Sequence, residues 1–428
     1  MSLSTNISQK PKAALLGTGL SGKATAALLR EKGVEYDIFD QRPGEQNRID
    51  FMDIRAGDYS FGMISPGFAA NHDWRKHATT IDLPLYSEIS LAARYWKGGD
   101  LICITGTNGK TTLTEFLSHA LEMAGKKAVA CGNIGFPFSA LCLNEGVQKQ
   151  EQNCMAICEV SSFQAHDLGG MCPDVALWTN FAEDHLDWHG NIEEYFEAKA
   201  CLLRSARIAM ITEELRDAAK SYGFTLSDAW QVVPPTPNGK LPVGSVFSRE
   251  PFCRLYPLAY ALWQHYGLDD DVLLQAAIHY QPSPHRLEWV ADFHGVTFIN
   301  DSKATNFHAV LGGLRSVNQP IFWVGGGAEK GGDKASFLQR LAPYLTEAHV
   351  YGENALELAS ILGRFSCPVQ RHDSLEEAVR TAYRHARPGY TIYFSPGFAS
   401  FDQFPNYRER GKRFRDTVFS LKNHAIAS

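Results

Sequence analysis

The 428-residue chain has no basic tract, no C-x-x-C pair, no low-complexity stretch and no run of eighteen apolar residues. Each gap closes off a class of function. Nucleic-acid backbones are held by clustered Lys and Arg, so a net charge of -6 without such clusters argues against a nucleic-acid partner. A helix needs about twenty apolar residues to cross a bilayer, and no membrane insertion is expected. The opening "MSLSTNISQKPK" lacks the apolar core of a secretion signal. Nine cysteines are an odd number, and several lie inside apolar runs, as Cys103 does in "LICIT" and Cys158 in "MAICEV". That usage fits reduced core residues of a cytoplasmic protein, and neither a disulfide framework nor a zinc site. The remaining composition, 44% hydrophobic and 21% charged, is ordinary for a globular chain long enough for two or three domains.

Short apolar runs alternate with helical patterns almost throughout, the signature of an α/β fold built around parallel sheets. "AALLGTGLSGKATAALLREKGVEYDIFD" reads as strand, glycine turn, helix and strand. Gly98, Gly99 and Asp100 punctuate the end of this first region, giving a Rossmann-like domain over residues 1–98. A central region, 99–282, opens with "LICIT" and contains strands at "MAICEV" and "VALWTNF", with a proline-rich, poorly periodic stretch at "VVPPTPNGKLPVGS". Pro282 and Pro284 suit a linker into a third region, 283–428, with strands at "VTFIND", "PIFWVGG", "EAHVYG" and "YTIYFSPG".

Two glycine turns carry chemistry. Gly17-x-Gly19-x-x-Gly22 follows a strand and opens a helix, and Asp40 ends the next strand. That is the dinucleotide fingerprint, yet glycines and a helix N-terminus accommodate any pyrophosphate, including that of a UDP-sugar, with Asp40 and Arg42 at the nucleoside end. "TGTNGKTT" resembles a phosphate loop but has only Thr107 and Asn108 between Gly106 and Gly109, where the standard loop has four residues. Its setting is right: a strand before it, and after it a helix with apolar Leu113, Phe116, Leu117 and Leu121. Lys110 would meet the β/γ-phosphates and the Thr111 hydroxyl a Mg²⁺. Magnesium calls for carboxylates. Glu159 ends "AICE", and "TNFAEDHLDWHG" supplies Glu183, Asp184, His185 and Asp187 after another strand. Read alone, His185 is as readily structural as a ligand, and Lys199 in "EEYFEAKACLL" reads as an exposed helix lysine.

These residues together resemble the Mur ligases of peptidoglycan synthesis, over almost the whole chain: "GTGLSG", "SPGF", "TGTNGKTT", "GNIGFP", "EVSSFQ", "TNFAEDHLDWHG", "EAKACLL", "PHRLE", "NDSKATN", "VGGGAEKGGD" and "SPGFASFDQF". The short loop spacing is this family's own. The resemblance implies three domains: N-terminal and C-terminal Rossmann-like ones, flanking a central mononucleotide-binding parallel sheet. It implies ATP and two Mg²⁺ ions as cofactors, and, for the branch closest in motif, UDP-N-acetylmuramoyl-L-alanine and D-glutamate as substrates of a monomer. Carried over by motif, Gly17, Leu20, Ser21, Asp40, Gln41, Arg42, Ser65, Gly67, Asn133 and Ser161 would hold the uridine substrate. Gly106, Thr107, Asn108, Gly109, Lys110, Thr111 and Thr112 would bind ATP, joined by Arg286, Asp301 and Lys303. Thr111, Glu159, His185 and Lys199, the last as a carbamate, would serve the metal ions, and Lys110, Glu159, His185 and Lys199 would form the catalytic set. Thr305, Lys330, Ser400, Phe401 and Tyr407 would hold the amino acid.

The chain departs from the family pattern where a central-domain helix usually starts with H-N-x-x-N. Here "SREPFCRLYPLAYALW" has neither histidine nor asparagine, and the stretch from Ala206 to Phe247 is short. Both affect the adenine contact and leave the phosphate chemistry intact. An NAD-linked oxidoreductase accounts only for residues 13–42, and a folate-type ligase only for the centre. A silent nucleotide-binding protein leaves Lys110, Glu159, His185 and Lys199 unexplained.

Overall fold

The computed structural model describes residues 11–41, 50–143, 153–235, 241–329 and 331–426, so Arg42 and Lys330 lie outside the described residues. The described residues form three sheets. Strands β1 (Lys12–Leu16), β2 (Glu35–Phe39), β3 (Phe61–Ile64) and β4 (Leu85–Tyr86) make a parallel sheet in the order β2-β1-β3-β4. Strands β5 (Leu101–Thr105), β6 (Ala128–Gly132), β7 (Met155–Glu159), β8 (Val175–Trp178), β9 (Ile208–Thr212) and β10 (Gln231–Val233) make a second, in the order β10-β9-β8-β5-β7-β6. Every pairing in it is parallel. All residues of β5, β7 and β8 are buried, which is why these strands read as continuous apolar runs: helices cover both faces of such a sheet.

The third sheet comprises β11 (Glu288–Phe293), β12 (Val296–Asn300), β13 (Ile321–Gly326), β14 (Leu345–Tyr351), β15 (Val369–His372) and β16 (Thr391–Gly397), ordered β11-β12-β16-β13-β14-β15. Its other pairings are parallel, as an α/β fold of this kind implies, and only the edge strand β11 runs antiparallel, to β12. The two-residue connection has His294 at φ +51° and Gly295 at φ +71°, the positive pair that lets a tight hairpin follow the strand twist.

Strand order fixes where ligands can enter. In the first sheet β1 lies between β2 and β3, and in the second β5 lies between β7 and β8. Chains leaving β1 and β5 therefore diverge from their neighbours' connections, opening crevices at the carboxyl ends of these strands. Both glycine turns sit there. The chain divides into two compact units, Met1–Ser245 with Leu255–Tyr280, and Val246–Arg254 with Gln281–Ser428. The first two sheets belong to one unit and the third sheet to the other. Among the described residues no helix is long and apolar enough to cross a membrane.

Candidate active site

At the end of β1 the chain turns at Gly17, φ +104°, where a Cβ would come within 2.5 Å of Ser65 Oγ. A Cβ on Gly22 would meet Gly17 O at 2.0 Å, so the turn and the Leu20–Glu31 helix can touch only through glycine. Ser21 lies in the first turn of that helix, whose N-terminus has no side-chain cap and offers N–H groups to an anion. Asp40 Oδ2 accepts from Thr18 N at 2.7 Å and from the Thr18 hydroxyl, so this carboxylate braces the turn. Gln41 Nε2 lies 3.2 Å from His72 Nε2, while Leu20 and Gly67 are exposed. Ser65 Oγ is buried without a hydrogen-bond partner among the described residues, and an orphaned hydroxyl here fits a polar ligand.

The loop after β5 is tighter still. A Cβ on Gly106 (φ +146°) would meet Thr179 Oγ1 at 1.9 Å, and one on Gly109 (φ +80°) would meet Leu255 Cδ2 at 2.6 Å. Asn180 organises the loop: its carbonyl accepts from Thr107 N at 3.0 Å, and its Oδ1 accepts from Asn108 N at 2.9 Å. Its Nδ2 also donates to Asn108 O at 3.0 Å. The Thr107 hydroxyl donates to Ala182 O at 3.1 Å and lies 3.0 Å from Tyr195 OH. Sequence reasoning misses Asn180 and Tyr195; the available signal for Asn180 is its place directly after β8. Lys110 folds back over the loop, Nζ donating to Gly106 O at 2.7 Å and Thr107 O at 3.0 Å, so its charge stays where a phosphate would lie. Thr112 is buried in the first turn of the Lys110–Met123 helix, and its four apolar positions are buried as the spacing predicts.

Glu159 gathers the residues around it. Buried at the end of β7, it accepts from the Thr111 hydroxyl at 2.6 Å on Oε2 and from Asn133 Nδ2 at 2.9 Å on Oε1. Ser161 instead caps the Ser162–Ala165 helix in a reciprocal box with Gln164. Lys199 overturns its local reading: it is 1% exposed, Nζ donates to Gly106 O at 2.9 Å, and the nitrogen lies 4.7 Å from the Tyr195 ring centroid. Burial, then the Lys110 charge, push its pKa well below the ordinary lysine value, against the opposing pull of Asp184 and Glu159. His185 has φ +57° and opens the Leu186–His189 turn, with Nε2 3.5 Å from Asp184 Oδ2. Asp184 is buried, whereas Glu183 and Asp187 are exposed. Among the described residues no three His, Cys, Asp or Glu side chains converge as a metal cage. The candidate donors are instead mixed: one carboxylate, one imidazole, a hydroxyl and an amine.

In the other unit the candidate residues line the carboxyl ends of β12 and β16. Asp301 accepts from Ser395 Oγ at 2.9 Å, Tyr393 OH at 3.2 Å and Leu287 N at 3.1 Å. Burial raises its pKa to about 7 despite these bonds and the nearby Arg286. The Lys303 ammonium lies 4.2 Å from the Tyr407 ring centroid. Ser400 is buried, Phe401 is exposed, and Thr305, in the segment after β12, is half-buried. Arg410, which sequence reasoning misses, is fully buried and joins the two segments. Its Nε donates to Ser302 Oγ at 3.1 Å, Nη2 to Ser302 O at 2.9 Å, and Nη1 to Phe398 O at 3.0 Å and Ala399 O at 3.1 Å.

A glycine phosphate loop on a switch-point strand, a carboxylate facing its threonine, and a separate α/β unit define a nucleotide-binding protein of modular build. The Mur ligase middle-domain model matches residues 104–221, and the model of the Mur ligase glutamate ligase domain matches 285–398. The chain belongs to the Mur ligase family. It is 34% identical to the UDP-N-acetylmuramoylalanine--D-glutamate ligase of Gloeobacter violaceus, covering 95% of this chain and 99% of that one. The enzyme of the same name from Trichodesmium erythraeum is 30% identical over 96% of this chain and 97% of its own. The crystal structure of the UDP-N-acetylmuramate-alanine ligase MurC of Thermotoga maritima shares the fold, with a TM-score of 0.59 at 15% identity, over 96% of this chain and 99% of that one.

Proposed function

We propose that the chain joins D-glutamate to UDP-N-acetylmuramoyl-L-alanine at the expense of ATP, a step of peptidoglycan precursor synthesis. The observation that carries this reading is the Lys110–Thr111–Glu159–Asn133 constellation, in a chain alike over nearly its full length to ligases of that name. The domain boundaries proposed with it fall near residues 98 and 282, and the enzyme acts as a cytoplasmic monomer.

The chemistry follows from charge. A carboxylate is a poor acyl donor, because attack by an amine would have to expel an oxide. The alanine carboxylate therefore attacks the γ-phosphorus, the bond to the bridging oxygen breaks, and ADP leaves. The D-glutamate amine then attacks the acyl carbon of the resulting acyl phosphate, loses a proton, and inorganic phosphate departs. Lys110 and the loop N–H groups oppose the phosphate charge, while Asn133, fixed on Glu159, stands ready to orient the muramoyl arm. Thr111, Glu159 and His185 suit Mg²⁺, which when bound neutralises the crowded phosphate oxygens. A buried lysine held towards its neutral form is the amine that adds CO₂; as a carbamate, Lys199 would supply the second anionic ligand that two cations need. On this reading Arg286, Asp301 and Lys303 are further ATP-binding residues, and Thr305, Lys330, Ser400, Phe401 and Tyr407 receive D-glutamate. Incubation of all three substrates with Mg²⁺ should give a product heavier than the uridine substrate by one glutamyl residue. Its absence from an active-site-intact preparation rejects the reading.

A further inference from the structure

Arg75 is a buried charge that this chemistry leaves unused. It lies on the Asp73–Thr80 helix and is 7% exposed. Its guanidinium forks onto Asp167, with Nη1 donating to Oδ1 at 2.8 Å and Nη2 to Oδ2 at 2.9 Å. Nε donates to Phe68 O at 3.3 Å, and the guanidinium carbon lies 5.3 Å from the Trp188 ring centroid. One side chain thus meets the "SPGF" loop, the end of the helix that Ser161 caps, and the segment that follows His185. Burial alone would raise the Asp167 pKa, but His166 and Arg75 outweigh it and hold the carboxyl below its ordinary value.

Trp188 closes the circuit. Its Nε1 donates to Pro66 O at 3.1 Å, and its carbonyl accepts from Ala70 N at 3.4 Å. Phe163 packs against both Trp188 and His185, with ring centroids 4.8 and 4.7 Å away. A left-handed backbone such as that of His185 costs about 1–3 kcal/mol and persists only where its surroundings over-determine it. An apolar pair would hold the two sheets together as well as a buried ion pair does, and often better. A planar fork with a stacked face adds something an apolar pair lacks, a single defined geometry.

We propose that Arg75 is a positioning residue of the ligation: through Asp167 and Trp188 it holds the Ser65–Phe68 loop and His185 in one fixed relation. What the two segments bind rests on the ligase reading; their coupling does not. The full chain is compared with Arg75→Lys, which keeps the charge and loses the fork. A second variant, Arg75→Met with Asp167→Leu, removes the pair without stranding a charge. Amide hydrogen exchange, measured with no substrate present, should accelerate together at residues 65–70 and 185–189 in both variants. The Lys110–Met123 helix should stay protected. In turnover, KM for the uridine substrate and the Mg²⁺ concentration for half-maximal rate should each rise about tenfold or more, as for lost supports of metal ligands. Acceleration at one segment alone overturns the proposal, as does a lower melting temperature with unchanged exchange and per-molecule kinetics. An inactive wild type would reject the ligase reading, and the exchange result would still decide the coupling.

Discussion

Lys199→Met separates the structural role of the buried lysine from its chemical one. Methionine keeps most of the apolar stem and removes only the nitrogen. The lost bond to Gly106 O contributes about 0.5–1.5 kcal/mol, and Gly106 O keeps Lys110 Nζ as a donor at 2.7 Å. Against that loss, the variant no longer buries an amine that its surroundings push away from the charged form. The two effects oppose, so urea unfolding should shift by less than about 1.5 kcal/mol. Turnover should move much further. An anion missing from a site of crowded phosphates and cations removes a preorganised charge, which costs about a hundredfold to a thousandfold in kcat. Phosphate release measures the rate, and ¹³C NMR after equilibration with labelled bicarbonate should show a carbamate signal in the wild type that the variant lacks. Lys199→Ala should regain part of its rate with an added short carboxylate. Full turnover in the methionine variant, or a stability loss above about 3 kcal/mol, would refute the reasoning.

Other residues make equally definite predictions. Gly106→Ala drives a methyl into Thr179 Oγ1 at a φ of +146°, so the ATP KM should rise at least tenfold and melting should fall; unchanged values would show that the loop has room. Arg410→Met strands the carbonyls of Ser302 and Phe398, while Ala399 O keeps Ala328 N as a donor, and should cost about 3–5 kcal/mol in urea unfolding, with weaker D-glutamate use; a loss under about 1 kcal/mol would mean water replaces the guanidinium. His349 is fully buried beside His372, and burial, then His372 and His385, push its pKa down to about 3. The unfolded chain takes up that proton near pH 6.5 while the folded chain resists until about 3, so this contribution to stability is whole above 6.5. It is lost as pH falls through that window, by up to about 1.4 kcal/mol per pH unit. His349→Gln should flatten the melting temperature between pH 6.5 and 4; an unchanged slope would assign the acid sensitivity to other groups.

Half of the second sheet, β5, β7 and β8, is legible in the sequence because a strand covered on both faces must be apolar along its whole length, as "LICIT" and "MAICE" are. β10 is not, since two of its three residues are exposed at a sheet edge and carry no periodic signal. β11 hides for a related reason: its hairpin depends on positive φ at His294, a residue that does not advertise a turn as Asn does before Gly. In the site, glycines and the Lys-Thr-Thr step stand out because few other residues tolerate those conformations and contacts. Lys199, Arg75 and Arg410 do not stand out. Each occupies a helix that also presents solvated charges, and what buries it is a loop from elsewhere in the chain, over Gly106, Asp167 and Ser302 respectively. Local pattern records the face a helix offers its own sheet and says nothing of a second, non-local cover.

The central claim, ligation driven by ATP on this site, is tested most directly by phosphate release from the wild-type chain with each substrate omitted in turn. Release should need Mg-ATP, UDP-N-acetylmuramoyl-L-alanine and D-glutamate together, and Lys110→Ala should abolish most of it while still binding the uridine substrate. Equal release with L-glutamate, or without any uridine substrate, would contradict the account.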